Sequence, residues 1–153
     1  MTPHDKTRIQ NEFAEFVKEL EAEGLPSIRF EVGYIPAAIV IDDRRPEKIV
    51  VTAHLPSVRK TYIGHVFATG KDASFQIHDI YVEPTFREND IGSKLLEGTI
   101  AAIEKFQPTL IKGSFKIVED TFPTLKRLFE KFGFTVSQEP DNQVSVFRDY
   151  PIK

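Results

Sequence analysis

The chain has 153 residues, 41% of them hydrophobic with thirteen phenylalanines, and a formal charge of −3. Those values suit one packed domain and give no electrostatic reason to expect nucleic acid or an anionic membrane as partner. The absence of cysteine excludes disulfides and thiolate zinc sites.

Acidic residues start at Asp5 and recur through the first apolar stretch, which is no signal-peptide pattern. No apolar run approaches the roughly 20 residues that span a bilayer, so a cytoplasmic protein is expected. Ile9, Phe13, Phe16, Val17 and Leu20 recur at helical spacing and predict an amphipathic helix from about Thr7 to Ala22, ended by Gly24 and Pro26. "IRFEV" and "AAIVI" read as short strands, followed by a charged loop, "DDRRPEK". "KIVVTAHL" and "TYIGHVFAT" are rich in β-branched and aromatic residues, with "PSVRK" suited to a hairpin connection. A turn at "TGKDA" leads to the strand "SFQIHDIYV".

Ile91, Leu95, Leu96, Ile100, Ile103 and Phe106 then mark one face of a second helix, and "TLIKGSF" reads as a further strand. Pro123 suits the first turn of a third helix with Leu125, Leu128, Phe129 and Phe132 as its stripe, closed by Gly133. "FTVSQ" and "VSVFRDY", joined by "EPDN", form a last hairpin. The order is helix, strands, helix, strand, helix, two strands: an α/β or α+β layered domain with a meander first and a crossover after it.

One junction carries more than fold information. In "VEPTFRENDIGSKLL", Val82 to Leu96, a strand end leads through a polar loop into a helix. A helix start presents N–H groups without intrahelical partners and a partial positive charge, which together favour phosphate oxygens. Gly92 permits close backbone approach, Arg87 offers a guanidinium and Ser93 a hydroxyl. Glu88 and Asp90 have the wrong sign for that purpose. On physics alone a polar loop with Asp90 as the helix N-cap explains the segment better.

"IHDIYVEPTFRENDIGSKLL" also resembles the acetyl-CoA-binding segment of the GNAT superfamily of N-acyltransferases, in which a strand ending in valine leads to Arg or Gln, two free positions, Gly, any residue, and Gly or Ala. Val82, Arg87, Ile91, Gly92 and Pro84 match; Asp90 replaces the first loop glycine. A second family signature, a helix ending in a "fYeklGF"-like run, resembles "LFEKFGF", with Phe129 where the family often carries a tyrosine that protonates the departing thiolate. The resemblance runs from about Tyr62 to Tyr150. It implies a single GNAT-like domain over 1–153, with an N-terminal helix and variable strands in 1–61 and the acyl-CoA part in 62–153. The implied fold is a mixed, mostly antiparallel sheet flanked by helices.

The resemblance further implies acetyl-CoA as cosubstrate, no metal, and a primary amine as acceptor, either a small molecule or a protein. A homodimer is left open, and the variable N-terminal part is where acceptor choice is expected. The implied acyl-CoA contacts are Tyr81, Val82, Arg87, Glu88, Asn89, Asp90, Ile91, Gly92, Ser93 and Phe129, with the strand backbone at Tyr81 and Val82 facing the thioester and pantetheine. Asp tolerates positive φ, so Asp90 is compatible with the loop's turn. His78, four residues before Val82, is the candidate general base, since histidine exchanges protons near neutral pH; the plain alternative is a strand histidine with no chemistry. Gln76 stands at another base position of the family and cannot accept the proton. Asp79 points to the opposite face on an ideal strand, though a bulge changes that parity. His54 and His65 could approach each other across the hairpin, but no further ligands accompany them. Lys126, Arg127 and Lys131 read as a solvent face within reach of the nucleotide end of CoA. The rival to an enzyme is a binding or regulatory module of the same fold with weakened catalysis, motivated by Glu88, Asp90 and Phe129.

Overall fold

A computed structural model of the protein describes residues 3–32, 35–55, 61–82, 90–116 and 122–150. Helix α1 spans Pro3–Glu23, and the strands β1 Ser27–Val32, β2 Ile35–Arg45, β3 Lys48–Leu55, β4 Thr61–Lys71 and β5 Ser74–Val82 follow. Then come α2 Ile91–Glu104, β6 Leu110–Lys116, α3 Phe122–Lys131, β7 Thr135–Glu139 and β8 Gln143–Asp149. The expected element order is present. The strands form one sheet in the order β1-β2-β3-β4-β5-β6-β8-β7, antiparallel throughout except for the parallel pair β5–β6. No described helix is long and apolar enough to cross a membrane.

Alternation along the strands explains the layers. Ala37, Ile39 and Ile41 of β2, with Ile49, Val51 and Ala53 of β3, point to one face and pack against Leu95, Leu96, Ile100 and Ile103 of α2. Phe129 of α3 completes this core, with Ile111 of β6 and Val144 and Val146 of β8. The intervening residues Ala38 and Val40 point the other way and bury Phe16 and Leu20 of α1. β2 is therefore apolar on both faces because it lies between two helices, whereas the strands beyond β3 show polar side chains on the second face.

Two expectations change. "DDRR" is not loop: β2 continues to Arg45, and only Pro46 and Glu47 turn before Lys48 pairs with Arg45. The register is irregular between Asp42 and Arg45, and there two hydrogen bonds of 2.9 and 2.8 Å join the Arg44 guanidinium to the Asp42 carboxylate. Those bonds hold the Asp42 carboxyl below its ordinary range, against a smaller opposing effect of burial. Helix α1 also starts earlier than the apolar periodicity indicates, at Pro3. The "PSVRK" connection lies outside the described residues.

The third helix ends as its sequence indicates. Gly133 has φ 84°, Phe134 N–H donates to Phe129 C=O at 3.1 Å, and Gly133 N–H donates to Glu130 C=O at 3.0 Å. That pair of bonds closes the helix on a left-handed glycine.

Candidate functional site

The sheet opens where β5 and β6 part. Their parallel register runs from Ser74↔Leu110 to Ile77↔Gly113 and then stops, while β5 continues through Val82 and β6 through Lys116. A bulge accompanies the opening: Ala68 pairs with Ile77 but Phe67 pairs with Asp79, so His78 is the extra residue of β5. The bulge bends the strand and reverses its parity. Before it, Phe75 and Ile77 are buried in the core; after it, Ile80 and Val82 pack against the same core. His78 and Asp79 are both exposed.

The start of α2 stands at the end of β5. A Cβ built on Gly92 lies 3.9 Å from Val82 Cγ2 and 3.7 Å from Leu128 Cδ2 of α3. Asp90 occupies the N-cap with φ 59° and ψ 20° and makes no side-chain cap hydrogen bond. The left-handed turn therefore survives with aspartate in place of glycine, and the side-chain capping reading of Asp90 does not hold. Ile91 is buried, and Ser93 is half-buried. Lys131, at the end of α3, donates from Nζ to Ser93 Oγ at 3.3 Å. A cation thus stands beside the helix start, opposite in sign to Asp90. Lys131 is exposed, as a solvent-face residue should be, and its approach to Ser93 depends on how two helices dock. Pro84, Arg87, Glu88 and Asn89 lie outside the described residues. Phe129 has no exposed surface; its ring packs between Phe115 and Phe134, with centroids 5.4 and 5.3 Å away. It lies in the core and presents no surface to a ligand.

The space around Gly92 supports a prediction. Contacts of 3.7 and 3.9 Å are ordinary van der Waals distances, so a methyl group fits without displacement. Gly92→Ala should fold normally and gain up to about 1 kcal/mol, because alanine loses less backbone entropy in a helix. Urea denaturation of the two proteins checks it; destabilisation by more than about 1 kcal/mol means that the helix start is tighter than these distances indicate.

On the face opposite the core, β4 and β5 carry a row of polar and aromatic side chains. His65 Nε2 and Asp79 Oδ2 are 2.6 Å apart, and the His65 ring lies 5.7 Å from that of Tyr81. His78 Nε2 and Thr69 Oγ1 are 2.6 Å apart, and the His78 ring lies 5.5 Å from that of Phe67. His54 stands beside Thr52, the residue of β3 that pairs with His65. Its Nε2 is 2.9 Å from Thr52 Oγ1, and its ring meets Phe16 of α1 at 5.9 Å. No group of three or more His, Asp or Glu side chains that could hold a metal occurs among the described residues.

The profile of the acetyltransferase (GNAT) domain matches residues 32–136. No curated protein sequence matches the chain. Among solved structures, the Paia N-acetyltransferase of Thermoplasma acidophilum, in complex with coenzyme A, is similar at 16% identity and TM-score 0.53, over 66% of this chain and 60% of that one. A GNAT-family acetyltransferase of Staphylococcus aureus is similar at 15% identity and TM-score 0.55, over 68% and 69%. The ribosomal-protein-S18-alanine N-acetyltransferase of Escherichia coli is similar at 12% identity and TM-score 0.56, over 72% and 74%. At such identities the likeness is one of fold.

Proposed function

This chain belongs to the GNAT acetyltransferase family, and from that membership we propose that it binds acetyl-CoA and acetylates a primary amine of a small molecule or a protein. The observation that carries the reading is the parting of β5 and β6 after Ile77↔Gly113, beside a helix start in a left-handed turn. The cleft suits the pantetheine arm, and the N-terminus of α2 suits the pyrophosphate. Ser93, Gly92, Ile91, Asp90, Asn89, Glu88 and Arg87 form the phosphate end in this reading, with Lys131 added to them. The backbone at Tyr81 and Val82 faces the thioester carbonyl. The similar Thermoplasma protein was solved with coenzyme A, which agrees with this assignment.

The reaction asks for a held thioester, a polarised carbonyl and a proton acceptor. The acceptor ammonium gives up one proton and its nitrogen attacks the carbonyl carbon. The C–N bond forms and the C–S bond breaks with its electron pair on sulfur; the second proton from nitrogen passes to the thiolate. His78 takes the first proton, directly or through water, and returns it to solvent. Its exposure and its place at the bulge motivate the assignment.

Asp90 sets the strength of the anion site. Two like unit charges ~6 Å apart repel by about 0.7 kcal/mol in water and about 2.8 kcal/mol at an effective dielectric near 20. Asp90 is exposed, so the smaller figure is the better guide. The helix terminus and the nearby cations each contribute roughly a kcal/mol in the other direction. Binding is therefore retained and weakened. Asp90→Gly should tighten acetyl-CoA by roughly three- to tenfold, and Asp90→Asn should recover much of that gain if charge is the cause. Calorimetric titration of the three proteins at low and moderate salt decides this. If neither wild type nor Asp90→Gly binds at millimolar acetyl-CoA, the transferase reading falls and a non-catalytic module of this fold replaces it.

A further inference from the structure

We infer that the amine acceptor carries a carboxylate or phosphate group, received between Lys71 and Lys112 in a hollow on the second face of the sheet, beside the β4–β5 turn. This deepens the acetyl-transfer reading and rests on it.

The hollow has a volume of about 520 Å³ and is lined by Thr69 and Lys71 of β4, Ser74 and Gln76 of β5 and Lys112 of β6. Ala68, Phe75, Ile77 and Ile111 are buried in the core, so strand alternation sends these five side chains to the second face. The register sets Thr69, Gln76 and Lys112 abreast, with Lys71 opposite Ser74. The turn beside them is pinned to the start of β6. Thr109 donates to Ala73 C=O from its backbone N–H at 2.8 Å and from its hydroxyl at 3.3 Å. Asp72 and Ala73 have φ of 52° and 67°, and that clamp holds an alanine in the left-handed region that favours glycine. The rim of the hollow is therefore set by the fold.

Its chemistry is that of an oxyanion site. Both lysines are exposed, and neither ammonium has an ion pair or side-chain hydrogen bond among the described residues. Asp72 also borders the hollow, so two cations face one carboxylate there. The Thr69 and Ser74 hydroxyls and the Gln76 amide supply neutral donors for further oxygens. Gln76, which cannot take a proton, thus has a use in holding the substrate. The hollow also adjoins the candidate base, because Thr69 Oγ1 is 2.6 Å from His78 Nε2. Neighbouring strands lie about 4.8 Å apart, so about 10 Å separates Thr69 from Lys112, a span that a short aliphatic chain covers. An acceptor held by its anion at the lysines presents its amine towards His78.

The test compares ε-aminocaproate with hexylamine, probes that share the ammonium and the chain but differ in the carboxylate. Both are titrated by two-dimensional NMR into wild type, Lys112→Gln and the double variant Lys71→Gln/Lys112→Gln. Wild type should bind ε-aminocaproate at least about fivefold more tightly than hexylamine, the effect of two exposed ion pairs. Shifted resonances should centre on the β4–β5 turn and Lys112. The single variant should lose part of the preference and the double variant all of it. Equal binding of the probes to wild type, or an unchanged preference in the double variant, overturns the inference. Acetyl transfer is then compared with the same two amines, and kcat/KM should favour ε-aminocaproate in wild type alone. Equal transfer in spite of preferential binding also overturns the inference, since the anion site then does not serve the acceptor. Failure of wild type to bind acetyl-CoA removes the transferase reading, while the binding preference still judges the hollow by itself.

Discussion

Phe129→Ala should destabilise the protein by about 3–5 kcal/mol, the range for removing a fully buried aromatic ring from a core. The ring is wholly enclosed, tilted against Phe115 of β6 and edge-on to Phe134. It is the buried residue of α3, so its loss removes the main anchor of that helix. Phe134 N–H also closes the helix on the Phe129 carbonyl, but that backbone bond survives the substitution. The functional consequence follows from the helix. Lys131 reaches Ser93 only while α3 is docked, so Phe129→Ala should also weaken acetyl-CoA binding without touching a ligand contact. Phe129→Leu, which leaves a smaller cavity, should lie between the two. Chemical denaturation measures the first effect and calorimetry the second. A cost below about 1.5 kcal/mol for the alanine variant means that α3 is held by other contacts.

His78→Ala should lower turnover by roughly a hundredfold or more and leave acetyl-CoA affinity nearly unchanged. The reasons are positional. His78 is the bulged residue of β5, exposed, and located where the sheet opens. It is not part of the core, so its removal should cost little stability; the Thr69 hydroxyl that it meets is half-buried and can turn to water. Steady-state rates with an identified amine, paired with a titration of acetyl-CoA, separate the two effects. Unchanged turnover returns His78 to an ordinary strand histidine.

Much of the fold is legible in the sequence. Helical spacing in Ile91, Leu95, Leu96, Ile100 and Ile103 identified the helix that lies against the sheet, and those residues are buried. Gly133 marked the end of the third helix, because left-handed backbone there suits a residue without Cβ. The loop residues pointed to an anion-binding helix start, and aspartate's tolerance of positive φ made Asp90 compatible with the turn that the structure shows. These signals are local: each depends on a few consecutive residues, and neighbours in the chain decide the outcome.

What the sequence could not decide was parity and docking. From "SFQIHDIYV" alone, strict alternation puts Asp79 on the face opposite His78. A one-residue bulge, selected by how β5 pairs with β4 and diverges from β6, brings both to the exposed face and joins Asp79 to His65, fourteen residues earlier. The charged run "DDRR" read as loop because charge favours solvent, yet an exposed strand face is solvent too, and cross-strand bonds to β3 hold it extended. Lys131 came to Ser93 through the packing of α3 on the core, a contact between residues 38 positions apart. By itself the sequence determined the elements, the family and the left-handed turn at the start of α2, since these follow from short-range pattern. The tertiary structure alone decided which side chains share the second face of the sheet, because a register shift of one residue reverses every side chain beyond it.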